Sequence, residues 1–248
     1  MKKSVTMDDG VQFGLGAFET IAVEQGKGIL LSHHLARLDR AAQFLGLGDL
    51  TERGLTMEYA AEWIGENCPD HSACKILLTQ ENLVMQTRPN PYGPARCARG
   101  FRMDFSAVRR NETSPLTGHK TLNYGDCILE HRVAAAAGMD ERIFLNTRGM
   151  LAEGTVSNLF LVSGGRIYTP ALSCGLLPGV LRSYILERYR VEEGEIDPRE
   201  LESFDECFVT NSLMGVMPVA QLGERTFPSR KTADRLRAAY EAEKGTLQ

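Results

Sequence analysis

Residues 118–124 read Gly-His-Lys-Thr-Leu-Asn-Tyr, and residues 146–161 read Asn-Thr-Arg-Gly-Met-Leu-Ala-Glu-Gly-Thr-Val-Ser-Asn-Leu-Phe-Leu. Lys120 stands just ahead of a run, Tyr124 to Ala137, that reads as a helix and stops at Gly138. Glu153 sits beside a Gly-Thr-Val-Ser-Asn turn between apolar runs. The stretches 143–145, 150–152, 159–162 and 166–169 read as short strands split by glycine-containing turns. A helix and strands in alternation, with a lysine at the entrance, give the second half its character.

Upstream, residues 17–23 (Ala-Phe-Glu-Thr-Ile-Ala-Val) alternate apolar and polar side chains, which predicts a strand. Ile29-Leu30-Leu31 predicts a second strand after a Gly-Lys-Gly turn. Ser32 then reads as the cap of a helix from His33 to Leu45, with Leu35, Leu38, Ala41, Ala42 and Leu45 on one face. Arg37 stands next to that stripe, and by spacing alone it reads as solvated. Residues 55–67 predict a second helix, 74–79 and 83–87 a hairpin, and 101–108 a strand. The prolines of Arg88-Pro89-Asn90-Pro91-Tyr92-Gly93-Pro94 argue for a stiff irregular loop. Residues 109–119 lack periodicity and read as an interdomain linker. The expected organisation is an α+β domain over 1–108 and a second domain over 120–248. In the latter, Pro178 begins a helix that runs to about Arg190. Strands follow at 207–210 and 216–219, then a terminal helix at 231–244.

Composition narrows the function. Apolar residues make up 43% of the 248 and charged residues 24%, a soluble globular balance. A net charge of −4 gives nucleic acid no electrostatic footing. No apolar run follows Lys2 and Lys3, unlike a signal peptide, and no stretch approaches the roughly 20 apolar residues of a membrane helix. The six cysteines form no Cys-x-x-Cys pair, so neither a metal site nor a disulfide framework is expected, and the chain reads as cytoplasmic with reduced thiols.

The chemistry turns on Lys120. A solvated lysine titrates near about 10.4 and is a poor nucleophile at neutral pH. Desolvation or a neighbouring cation would free the amine to bond to the aldehyde of pyridoxal 5'-phosphate, whose ring serves as an electron sink. A carboxylate such as Glu153 would favour a protonated ring nitrogen. The phosphate calls for backbone donors, hydroxyls and an arginine.

Four ordered motifs join these features: residues 12–20 (Gln-Phe-Gly-Leu-Gly-Ala-Phe-Glu-Thr), 34–38 (His-Leu-Ala-Arg-Leu), 120–124 (Lys-Thr-Leu-Asn-Tyr) and 153–160 (Glu-Gly-Thr-Val-Ser-Asn-Leu-Phe). Together with Leu177-Pro178-Gly179-Val180-Leu181-Arg182 they resemble the class IV (fold type IV) pyridoxal-phosphate enzymes over nearly the whole chain. That family includes branched-chain and D-amino acid aminotransferases and aminodeoxychorismate lyases. The resemblance implies two α/β domains with the cofactor between them, usually in a homodimer. It implies that Lys120 holds the cofactor and moves the proton, that Glu153 faces the pyridine nitrogen, and that Tyr124 lies near the phenolic oxygen. Arg37 would bind the phosphate, which reverses its reading as solvated. The amides of Val180 and Leu181 would bind it too. Ser212 stands where the family often has a phosphate-binding threonine, and Ser157 and Asn158 either shape the turn behind the ring or touch it.

Residues 211–219 (Asn-Ser-Leu-Met-Gly-Val-Met-Pro-Val) resemble the lyases, as does Gln12-Phe13-Gly14, whereas the aminotransferases tend to have Gly-Thr-Ala at 211–213. The chain departs from the family at Thr87-Arg88-Pro89-Asn90-Pro91-Tyr92, where an arginine- and glycine-rich stretch is usual, and its N-terminus looks shorter, without a first strand. Arg88 and Tyr92 could take a substrate carboxylate or belong to an ordinary loop. The expected activity is aminodeoxychorismate lyase, with an aminotransferase and a non-catalytic scaffold as alternatives.

Overall fold

The computed structural model describes residues 4–247, so Lys2 and Lys3 lie outside the described residues. It divides into two compact units, one of residues 1–91, 119–124 and 243–248, the other of 92–118 and 125–242.

In the first unit, Asp8 caps the short helix α1 (Asp9–Phe13) by accepting the Val11 N–H at 3.0 Å. Strand β1 (Ala17–Glu24) turns through Gln25 and Gly26 into β2 (Lys27–Gly28), and β3 (Ser72–Leu78) and β4 (Leu83–Pro89) complete an antiparallel sheet in the order β2-β1-β3-β4. Helices α2 (Leu31–Leu45) and α3 (Met57–Asn67) bury Leu35, Leu38, Ala60 and Ile64 with Ile21, Ile76 and Leu78 of the sheet. Burying a leucine as completely as Leu38 contributes about 2 kcal/mol. The expected strand at 29–31 is absent. Leu30 takes a left-handed conformation (φ 54°) and is itself the cap of α2, which starts at Leu31, so Ser32 lies inside the helix. Residues 120–122 run along the start of β1. Phe18 N–H donates to the Lys120 carbonyl at 2.9 Å, and Leu122 N–H to the Gly16 carbonyl at 2.8 Å. That approach needs glycine at 16, since a Cβ there would lie 2.7 Å from Leu122 and 2.8 Å from the Leu78 carbonyl oxygen.

The second unit begins with α4 (Pro94–Arg99). The loop expected over 88–94 is narrower than that, since β4 runs through Pro89 and α4 opens at Pro94, where a missing N–H in the first turn costs nothing. Strand β5 (Phe101–Arg110) and helix α5 (Gly125–Ala136) follow, then β6 (Glu141–Asn146), β7 (Leu151–Gly154), β8 (Asn158–Ser163) and β9 (Arg166–Pro170). Helix α6 (Val180–Arg188), β10 (Val191–Gly194), β11 (Glu206–Asn211), β12 (Gly215–Leu222), β13 (Arg225–Thr226) and α7 (Lys231–Glu243) complete the chain order. The sheet runs β10-β9-β8-β11-β12-β5-β6-β7, and β7 also pairs with β8. Strands β8, β11, β12, β5, β6 and β7 therefore close on themselves, which leaves those six without a bare edge. Phe101, Met103, Leu159, Leu161, Val209 and Met217 fill the core of this unit, and the Phe160 and Phe208 rings stack at 4.8 Å.

The division differs from the one expected at 109–119. Strand β5 pairs in parallel with β6 and β12, which assigns residues 101–110 to the second unit, while Lys120 bonds to β1 and falls in the first. Arg109 and Arg110 are strand residues and not linker.

Candidate functional site

In the first unit, the alternation of β1 turns Ala17, Glu19, Ile21 and Val23 to the buried face, so a carboxylate enters an apolar layer. Helix α2 brings it partners. Arg37 donates from Nε and Nη2 to the two Glu19 oxygens, each at 2.7 Å, and His34, one turn earlier, lies 2.6 Å from Glu19 Oε2 through Nδ1. Glu19 and His34 are wholly buried and Arg37 nearly so; the reading of Arg37 as solvated is overturned. Burial alone would push the Glu19 carboxyl up, but the Arg37 guanidinium and then His34 hold it well below the usual range. Burial pushes the His34 imidazole down, against the pull of Glu19. Nδ1 donates to the ionised Glu19, and Nε2 is buried with no partner among the described residues.

Lys120 reaches over the aromatic rings of this unit. Its Nζ lies 4.4 Å from the Phe18 ring centroid and 4.7 Å from that of Tyr124, and the two rings meet edge to face at 5.2 Å. Lys120 also contributes to the depression of the His34 imidazole, so Lys120, Arg37, His34 and Glu19 form one neighbourhood. Arg88 is exposed at the end of β4, and its charge adds to the burial that lowers the Lys75 ammonium.

In the second unit, Glu153 is buried on β7, where Arg110 Nη2 stands 2.9 Å from Oε1 and Leu177 N–H donates to Oε2 at 3.0 Å. The turn after it is bound from below. Glu141, on the neighbouring strand β6, accepts from Val156 N–H at 2.7 Å, Ser157 Oγ at 2.8 Å and Thr155 Oγ1 at 3.1 Å. Asn158 donates from Nδ2 to the Leu177 carbonyl at 2.8 Å. The polar bonds of Ser157 and Asn158 thus go to protein groups that shape the turn. A Cβ at Gly179 would lie 1.9 Å from Asn158 Oδ1, so the residue that caps α6 has to be glycine. No side chain caps that helix, and Val180 and Leu181 open it with their side chains buried. Pro178 precedes the helix instead of starting it.

Asn211 closes the β11–β12 hairpin. Its Oδ1 accepts from Leu213 and Met214 N–H at 3.0 and 2.9 Å, and its Nδ2 donates to the Val156 carbonyl at 3.1 Å. Ser212 is half-buried in this turn, and the Thr210 hydroxyl below it is buried without a partner among the described residues. Tyr92 is also on this unit. Burial pushes its phenol up to about 12, and Asn211 hydrogen-bonds it.

The structure groups Arg37, Lys120 and Tyr124 in one unit and Glu153, Ser157, Asn158, Val180, Leu181 and Ser212 in the other. Sequence reasoning quoted Glu19, His34 and Asn211 within its motifs without giving them a role, and missed Arg110 and Glu141. A charge on the inward face of an alternating strand was the available signal for Glu19. Arg110 was hidden by its assignment to a linker.

The amino-transferase class IV family model matches residues 16–222. The aminodeoxychorismate lyase of Bacillus subtilis (strain 168) is 26% identical over 90% of this chain and 83% of its own length. A Methanocaldococcus jannaschii protein provisionally named a branched-chain-amino-acid aminotransferase is 25% identical over 94% of this chain and 87% of its own. Among solved structures, the 4-amino-4-deoxychorismate lyase of Pseudomonas aeruginosa superposes with a TM-score of 0.85 at 27% identity, covering 98% of this chain and 96% of that one. This chain therefore belongs to the class IV amino-transferase family of pyridoxal 5'-phosphate enzymes.

Proposed function

We propose that this protein is a lyase that converts 4-amino-4-deoxychorismate to 4-aminobenzoate and pyruvate, in folate synthesis. The observation that carries the reading is the Asn211 turn. The lyase-like Asn-Ser-Leu-Met segment is tied by three Asn211 side-chain bonds, so it is more than packing. The lyases of B. subtilis and P. aeruginosa are the relatives that support it.

The residues fit the cofactor. The α6 amides have no side-chain cap, and Thr210 offers a buried hydroxyl without a partner among the described residues. In this reading Arg37, Ser212 and the Val180 and Leu181 amides hold the phosphate, Glu153 faces the ring nitrogen, Ser157 and Asn158 back the ring, and Tyr124 serves the phenolic oxygen. Arg110 and the Leu177 amide keep Glu153 aimed. When bound, pyridoxal 5'-phosphate supplies an electron sink for charge developing beside the substrate amine. Lys120 Nζ takes the proton from the amine-bearing carbon. The adjacent carbon–oxygen bond then breaks, its electrons leave with the enolpyruvyl oxygen, and the ring becomes aromatic. The released enolate takes up a proton at carbon to give pyruvate, which balances the proton that Lys120 removed.

Branched-chain or D-amino acid transamination is the second reading, favoured by the likeness to the M. jannaschii protein. One assay separates them: the lyase releases pyruvate from aminodeoxychorismate with no keto-acid acceptor, and turnover that needs an acceptor overturns the proposal. The purified protein should absorb in the visible and Lys120→Ala should lose that band; a protein that stays colourless after reconstitution would leave the scaffold alternative. We place the enzyme in the cytoplasm as a homodimer, a state that light scattering reads directly. Ile128, Leu129 and Val133, exposed on α5, are candidates for burial in it.

A further inference from the structure

The turn that follows Glu153 is governed by a residue outside the assigned machinery. Glu141 is 1% exposed, and the hydrogen bonds it accepts come from uncharged donors: the Val156 amide and the Thr155 and Ser157 hydroxyls. Gly154 is part of the same device, because a Cβ there would lie 2.3 Å from Ser157 Oγ and 2.5 Å from Glu141 Oε1. From this turn the bonds spread outward. Asn158 fixes the Leu177 carbonyl, the Leu177 amide fixes Glu153, and the Val156 carbonyl receives Asn211.

We propose that Glu141 is a positioning residue whose charge state sets how the Thr155–Ser157 turn, and through it Glu153 and the Asn211 turn, are held. As a carboxylate it accepts all three bonds. Once protonated it must donate one, and a hydroxyl of the turn has to reverse. The groups around it do not fix the charge. Glu153 faces it from β7 and disfavours ionisation, and the Tyr92 phenol lies near. His131 of α5 reaches Thr155 Oγ1 at 3.2 Å, Arg142 is engaged by Glu130, and Asp140 by Arg99. Burial pushes the carboxyl up to about 7, against the pull of its three donors, so both forms are populated at neutral pH.

The proposal deepens the reading of Glu153 as the ring partner, yet its first test is independent of that reading. In the full chain, the Val156 amide resonance titrates with a midpoint near 7, and Glu141→Gln, an isostere of the neutral form, abolishes the titration. Thr155→Val moves the midpoint upward by removing a donor, which keeps the test alive should the Gln variant fold poorly. A Val156 amide that is flat from pH 5 to 9, or one that titrates identically in Glu141→Gln, overturns the proposal. The second test uses pyridoxal 5'-phosphate. The wild type binds it more than threefold tighter at pH 8 than at pH 6, relative to the same ratio in Glu141→Gln, because the ionised form anchors the turn and adds negative charge beside Glu153. Equal ratios, or the opposite sign, overturn the functional role of the switch. A chain that binds no pyridoxal 5'-phosphate refutes the proposed function instead, with the Val156 titration still readable.

Discussion

Glu19 and Glu141 are both buried carboxyls, one on β1 of the first unit and one on β6 of the second, and they are pushed in opposite directions. Burial raises both. At Glu19 the Arg37 guanidinium overcomes it with two aligned bonds at 2.7 Å. At Glu141 three neutral donors do not, and Glu153 adds to the rise. What separates them is a cation and not depth, since a charge-assisted bond is roughly twice as strong as a neutral one. The first unit thus holds a fixed charge pair, and the second a carboxyl that can change state near neutral pH.

Removing the cation's partner should have the largest effect. Glu19→Ala leaves Arg37 buried with an uncompensated charge and is expected to cost about 3–5 kcal/mol, read from urea unfolding. A loss below about 1 kcal/mol would mean that Arg37 swings to solvent, and the contrast with Glu141 would fail. The next effect is a slope against pH. The Glu141 carboxyl has a higher pKa folded (about 7) than its ordinary 4.5, so its stabilising contribution is full below 4.5 and is lost as pH rises through 7. The wild type should lose on the order of 2 kcal/mol between pH 5 and 7 relative to Glu141→Gln, at up to about 1.4 kcal/mol per pH unit. Parallel stability curves for the two proteins would remove Glu141 from the comparison.

Local pattern made the elements legible, and distance in sequence hid their partners. The alternation of residues 17–23 and the spacing of Leu35, Leu38, Ala41 and Ala42 were enough for β1 and α2. Arg37 sits at the rim of that stripe, and only Glu19, on another element, decides that it turns inward. The run 101–110 read as a strand, but nothing in it tells that β6 and β12 are its neighbours, so the domain boundary fell in the wrong place. Leu30 breaks a rule outright: a leucine at positive φ ends a run whose composition is that of a strand. Glu153 stood out because its turn has a strong motif. Glu141, an acid at the start of a strand, looks like surface until the fold buries it under residues 154–157.

The smallest change probes whether the three donors at Glu141 act as separate increments. Ser157→Ala deletes the bond to Oε2 and leaves the Val156 amide and Thr155 hydroxyl on Oε1. A neutral hydrogen bond is worth about 1 kcal/mol net, and an acceptor left bare in a buried site costs somewhat more. At pH 8, where the carboxylate form dominates, the variant should therefore lose about 1–2 kcal/mol. At pH 5.5 the loss should be smaller, because the protonated oxygen has no charge to leave unsatisfied. The Ser157 donor lowers the Glu141 carboxyl, so its removal should also move the Val156 titration upward. An equal loss at both pH values would assign Ser157 to the packing of the turn alone, and would leave Glu141 held by the Val156 amide and Thr155.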